Sequence, residues 1–213
     1  MVANYLPLFI RADRLRVLIV GFGKVGSQRA KRLRDLGSEV TVVSLEDVKE
    51  EGINAIKADA RSLEVDFFRR FNLVIAATGD RELNWEVCNK AREAGVLCDD
   101  PLAFESSDVI LPVYYATENY MVAVTSYGYS TLFAKEILEK IKGTLESDPG
   151  LRNLGEAAKL LKPLLKSNVD DPKIRYNLYH LIYNDKEFRE KAKKGDLEGA
   201  KKRALEVIKN AAR

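Results

Sequence analysis

The chain has 213 residues, 46% of them hydrophobic and 31% charged, with a net charge of +3. That balance is ordinary for a water-soluble chain with enough length for a sizeable core, in one large domain or two small ones. No apolar run of about 18 residues occurs, which argues against a membrane span. The start carries no signal-peptide pattern, so the expected location is the cytoplasm.

The first element is "RVLIV" (16–20), a short β-branched run followed at once by glycines, which reads as a buried strand. "KVGSQRAKRLRDLG" then places Val25, Leu33 and Leu36 near helical spacing, with Gly37 as a stop. Strands are expected at 39–44 and, more weakly, at 54–58. A short helix is expected at 62–71 with Ser62 as its cap. "NLVIAAT" (72–78) is the most apolar strand. The following helix carries Leu83, Val87 and Ala91 at spacings of four and ends at Gly95, before a last strand at 96–100. Strand and helix alternate throughout, which predicts an α/β, Rossmann-like parallel sheet.

After Pro101 the pattern changes. Two strands, 109–115 and 120–125, are joined by the brief turn "ATEN", so they pair antiparallel. An amphipathic helix follows at 131–145, with Phe133, Ala134, Ile137, Leu138 and Ile141 on one face. Beyond Pro149 the pattern is helical, with breaks expected near Pro163, 168–172 and 193–196. The domain reading is a Rossmann-like domain at 1–108, a region of two strands and a helix at 109–147 and a small all-helical module at 148–213. The strand edges and the apolar stripe of the 131–145 helix both want a partner.

Cys88 and Cys98 do not make a disulfide framework and lack zinc spacing. The sole histidine, His180, sits in an apolar helical run and reads as structural. No protein-built metal site is expected. Residues 1–34 hold eight Lys/Arg and one acid, and the tail from Asn184 holds ten Lys/Arg and six acids. Such runs are solvated helix faces or surfaces for a polyanionic ligand. No aromatic-basic interleaving points to nucleic acid.

Gly21, Gly23 and Gly26 form a G-x-G-x-x-G loop between the first strand and its helix, the context a dinucleotide site requires. Gly21 permits the turn, Gly23 lets backbone approach a pyrophosphate, and Gly26 lets helix pack on strand. Lys24 and Val25 complete the loop, whose helix N-terminus offers amides to phosphate. Ser44, Leu45 and Glu46 follow the second strand. Glu46, with Asp47 as its neighbour, is the candidate for the ribose hydroxyls and favours NAD over NADP. Thr78 closes the fourth strand where a nicotinamide ribose would pass.

Several segments, in order, resemble the precorrin-2 dehydrogenases, the short type of siroheme synthase. They are "NYLPLFI", "VLIVGFGKVGSQRAKRL", "VTVVS", "LVIAATGDRELNWEV", "VILP" and "MVAVTSYGYSTLFAKEIL", covering roughly residues 4–142. The resemblance implies a homodimer, with 1–108 as the NAD-binding Rossmann-like domain and 109–147 as the dimerisation region, that uses NAD to oxidise precorrin-2, a tetrapyrrole with eight carboxylates, to sirohydrochlorin. Some members also insert ferrous iron, bound by the macrocycle nitrogens. It further implies a chemically important aspartate after the fifth strand, in an N-V-V-D-D-P or N-V-V-D-A-P context. Here Asp99, Asp100 and Pro101 follow Cys98 directly, so Asp100 is the first candidate and Asp99 the second. The family's Gly-Thr-Ser-Pro is replaced by Gly128-Tyr129-Ser130-Thr131. Thr125, Ser126, Gly128 and Ser130 are the candidates for substrate carboxylates, and Ser130 is equally a helix cap. Two other readings stay open: an NAD-sensing regulatory domain, and a tetrapyrrole chelatase or binding protein without dehydrogenase activity.

Overall fold

A computed structural model describes residues 5–211. The chain divides into two compact units. The first holds the residues up to Pro112 together with Thr125–Thr131, and the second holds Val113–Val124 and the residues from Leu132 onward.

The first unit is a five-stranded parallel sheet in the order β3-β2-β1-β4-β5. Its strands are β1 (Arg16–Val20), β2 (Glu39–Ser44), β3 (Asn54–Lys57), β4 (Leu73–Ala76) and β5 (Leu97–Asp99). Successive side chains on a strand point to opposite faces, and both faces of this sheet are covered. Val17 and Ile19 of β1 join Val40, Val42, Leu73 and Ile75 beneath α1 (Lys24–Asp35), which contributes Ala30 and Leu33. Leu18 and Val20 face the other way. They pack with Val74 and Ala76 against α2 (Val65–Phe68) and α3 (Arg81–Glu93), through Phe68, Leu83, Val87 and Ala91.

Three expectations need correction here. The 62–71 helix is a 3-10 turn at Ala60–Ser62 followed by the single turn of α2. Asp59, not Ser62, starts it, by accepting from the Arg61 amide at 2.9 Å, while Ser62 Oγ donates to the Asp59 carbonyl. Cys88 and Cys98 are joined by a disulfide, because the turn at Gly95 folds β5 back along α3 and brings the two Cα atoms to 5.3 Å. The helix expected to break at Pro163 runs unbroken from Pro149 to Asn168.

The second unit holds an antiparallel pair, β6 (Val113–Ala116) and β7 (Met121–Val124), and the helix α4 (Thr131–Glu146). Four further helices, α5 (Pro149–Asn168), α6 (Pro172–Asn184), α7 (Lys186–Lys193) and α8 (Leu197–Ala211), enclose their own core. Leu154, Ala157, Leu161 and Leu165 run along α5 on both sides of Pro163. Burying that stripe outweighs the hydrogen bond and clearance that an interior proline costs, about 3 kcal/mol. His180 is exposed on α6, with its ring edge-on to Tyr176. Among the described residues no helix is long and apolar enough to cross a membrane. No group of three or more His, Cys, Asp or Glu side chains among them could hold a metal ion.

Candidate functional site

In the order β3-β2-β1-β4-β5 the chain leaves β1 in one direction and β4 in the other, so a crevice opens beyond the ends of these two strands. The glycine loop lines it. Gly21 has φ +93°, a left-handed conformation, and a side chain there would come within 2.7 Å of the Ala77 carbonyl. A side chain on Gly26 would overlap the Gly21 carbonyl oxygen. These two glycines bring α1 and the end of β4 against β1.

Gly23 differs from both. A β-carbon there would meet nothing within 4 Å, and its backbone is extended. It stands at the N-cap of α1, with no side chain capping the helix and no acid in the first turn. The amides of Lys24, Val25 and Gly26 therefore lie in the helix turn that has no internal partners. Lys24 and Val25 are exposed.

At the end of β2, the Ser44 hydroxyl accepts from the Glu46 amide at 3.2 Å, and Leu45 and Glu46 are exposed. Asp47 is engaged by Lys57 at 2.9 Å. Among the described residues Glu46 has no ion-pair partner, so it is the freer of the two acids.

Thr78 and Asp100 flank a fully buried amide that no sequence motif singles out. Asn84 of α3 is 0% exposed. Its Oδ1 accepts from the Thr78 amide at 3.1 Å and from the Thr78 hydroxyl at 2.6 Å. Its Nδ2 donates to Asp100 Oδ1 at 3.3 Å. Asp100, 2% exposed, also accepts from the Leu102 amide at 2.9 Å on the same oxygen. Its own amide donates to Ser107 Oγ at 2.8 Å.

Alternation along β5 sends Asp99 the other way. At 4% exposure it pairs with Arg29 of α1. Burial, with Arg32 nearby, lowers the Arg29 guanidinium to about 10, and Asp100 acts in the opposite direction. Arg29 therefore stays charged at neutral pH and feels both carboxylates.

The Thr125–Thr131 stretch folds with this unit. Ser126 Oγ accepts from the Ser130 amide and donates to the Ser130 carbonyl, both at 2.8 Å. Thr125 Oγ1 accepts from the Tyr127 amide at 3.0 Å. Gly128 lies directly over the Phe104 ring, and Tyr129 packs edge-on to it at 4.9 Å. Tyr5 anchors the leading segment to the same turn, donating toward the Phe104 and Ser107 carbonyls at 3.1 and 3.2 Å. Burial, with Asp108 and Glu105 nearby, raises its hydroxyl above the ordinary tyrosine value.

Asn84 and Arg29 left faint traces in the sequence. Asn84, Cys88 and Ala91 share one stripe at spacings of four and three, so an amide stood where an apolar residue belonged. Arg29 sits three residues after Gly26 on the inner side of its helix.

Comparison with known proteins bears on this arrangement. Residues 8–113 match the family described as "Putative NAD(P)-binding". A siroheme synthase of Methylococcus capsulatus is 28% identical over 216 residues, which is 99% of this chain and 44% of the relative. Siroheme synthase 1 of Aeromonas salmonicida is 34% identical over 154 residues, 69% of this chain and 32% of the relative. A Methanocaldococcus jannaschii protein named "Putative precorrin-2 dehydrogenase" is 24% identical across 89% of this chain and 95% of its own length. The chain is a homologue of the siroheme synthases and precorrin-2 dehydrogenases. It spans less than half the length of the siroheme synthases it matches. The structure titled "SirC, precorrin-2 dehydrogenase" aligns over 97% of this chain and all of its own, with a TM-score of 0.65 at 16% identity. The likeness to that structure is one of fold.

Proposed function

We propose that the chain oxidises precorrin-2 to sirohydrochlorin with NAD. The observation that carries this reading is the open space at Gly23. A helix start without cap or acid faces a crevice that Gly21 and Gly26 hold tight on either side. The residues fit the cofactor. The Lys24, Val25 and Gly26 amides take the pyrophosphate, and Glu46 accepts from the adenine-side ribose, which disfavours a 2′-phosphate. Ser44 and Leu45 border that ribose, and Thr78 borders the other one. When bound, NAD supplies the hydride acceptor.

Loss of two hydrogens from the macrocycle requires a proton acceptor besides the hydride acceptor. Asp99 is committed to Arg29, whereas Asp100 Oδ2 accepts no hydrogen bond among the described residues. Asp100 is therefore the base, and Asp99 with Arg29 holds the end of β5 in place. Thr125 keeps its hydroxyl proton for a substrate carboxylate, while Ser126, Gly128 and Ser130 shape the loop that presents it.

The same reading gives a cytoplasmic homodimer joined through 109–147. The β6–β7 pair leaves two strand edges, and α4 buries only Ala134 and Leu138 of its apolar face within the chain. Ferrous iron is a second substrate, held by the nitrogens of the product ring. The test is anaerobic incubation with precorrin-2. Sirohydrochlorin must appear with stoichiometric reduction of NAD. Saturable NAD binding without turnover would make this a sensing domain, and iron insertion without oxidation would make it a chelatase.

A further inference from the structure

Asn84 is the most completely buried polar side chain near the crevice, and its carboxamide is fully engaged. Oδ1 takes two donors from Thr78, and Nδ2 reaches the Thr78 carbonyl at 3.4 Å and Asp100 Oδ1 at 3.3 Å. A carboxamide has two donor hydrogens and two acceptor lone pairs, so none is left over. One amide thereby ties the loop after β4 to the acid after β5. Thr78 also lies beside the glycine loop, since a β-carbon added at Gly21 would come within 3.0 Å of the Thr78 amide nitrogen. Thr78, Asn84 and Asp100 form one continuous chain of hydrogen bonds next to that loop.

Asp100 is held from three sides. Its main chain exchanges hydrogen bonds with Ser107 Oγ, at 2.8 Å from its amide and 3.1 Å to its carbonyl. Its Oδ1 takes the Leu102 amide and Asn84. Both side-chain bonds fall on the same oxygen, so the orientation of the carboxylate is fixed and Oδ2 is the oxygen left for chemistry. The Leu102 amide moves with its own loop, whereas Asn84 stands on α3, a 13-residue helix packed on the sheet. A donor mounted on a rigid element places a reacting group more accurately than one on a loop.

We propose that Asn84 is a positioning residue for the dehydrogenation. It sets the Asp100 carboxylate at a fixed place relative to Thr78, and so relative to the nicotinamide that the Thr78 loop borders. This rests on the proposed dehydrogenase reading and adds to it a residue that need not touch substrate or cofactor.

A double-mutant cycle tests it on the full chain. Asn84→Ser keeps a hydroxyl too short to span Thr78 and Asp100. It should lower kcat at least tenfold and leave the NAD dissociation constant within about twofold. In an Asp100→Ala background the same change should cost less than twofold more, because a residue acting through Asp100 has nothing left to position. Equal losses in both backgrounds would overturn the proposal.

Asn84→Asp supplies a second arm, being isosteric. The introduced carboxyl can donate to Asp100 only when protonated, so the ratio of variant to wild-type kcat should rise as pH falls. A ratio independent of pH would overturn the proposal. A third arm needs no turnover. The Leu102 amide, which shares Asp100 Oδ1, should exchange its hydrogen at least tenfold faster in Asn84→Ser, with β1 amides unchanged. Unchanged exchange at Leu102 overturns the positioning. If wild-type protein fails to oxidise precorrin-2, the dehydrogenase reading falls while the exchange arm still decides whether Asn84 places the carboxylate.

Discussion

Two helices begin at the same edge of the sheet, directly after its two adjacent central strands, and they begin differently. Helix α3, after β4, is closed by its own chain. Asp80 accepts from the Glu82 and Leu83 amides at 3.0 and 3.1 Å, and Arg61 neutralises that acid at 2.6 Å. Helix α1, after β1, has neither cap nor acid, and a vacant position at Gly23 where α3 has Asp80. Both starts have the same orphan amides and the same positive end of the helix dipole. One spends them on its own fold; in the proposed reading the other leaves them to the pyrophosphate of the cofactor.

Substitutions can break or sharpen that contrast. The largest effect is expected at Gly26, where any side chain overlaps the Gly21 carbonyl oxygen. Gly26→Val should cost about 3 kcal/mol or more, seen as loss of the cooperative thermal transition or of soluble protein. Next is Gly23→Asp, which gives α1 the start that α3 has. Its extended backbone accepts the residue, so the thermal midpoint should hold or rise slightly. NAD affinity by calorimetry should fall at least a hundredfold, since the new carboxylate takes the amides and repels phosphate. Gly23→Trp, which fills the space without charge, should abolish binding as well. Retained affinity in both variants would place the cofactor elsewhere.

The converse change is smaller. Asp80→Ala should lower the thermal midpoint by a few degrees and leave NAD affinity unchanged. Its pH dependence is the finest test. Hydrogen bonding from the Leu83 amide, then from Arg61, holds the Asp80 carboxyl below the ordinary carboxylate value. A lowered acid stabilises the fold fully above its unfolded value and ceases to do so as pH falls through the folded one. The gap between wild type and Asp80→Asn should therefore be widest near neutrality and close below about pH 4.

The sheet and the glycine loop were legible in the sequence because each rests on a short local pattern. β-Branched runs ending in glycine gave β1, and the loop sits at the strand-to-helix junction where its spacing predicted it. Residues whose role depends on distant chain were not legible. Asn84 reads as an ordinary polar residue until β5 brings Asp100 beside it, and Arg29 until Asp99 arrives from 70 residues away. Pro163 looked like a stop because the local cost of proline is visible in a sequence, whereas burial of Leu161 and Leu165 on either side of it is a property of four helices together. The assignment of Asp99 to an ion pair and Asp100 to an amide follows from strand alternation at one residue's resolution, finer than a predicted strand boundary.

The bridge between Cys88 and Cys98 has a practical consequence for handling the protein. Both sulfur-bearing residues are almost wholly covered, at 2% and 0% exposure, between α3 and β5. A reductant can reach the bond only when that seam parts. The rate at which thiols become available to an alkylating reagent thus records how often the seam breathes. Because Asn84 lies one helical turn before Cys88, and Asp99 and Asp100 directly follow Cys98, the same clock measures how long the two halves of the crevice floor stay together.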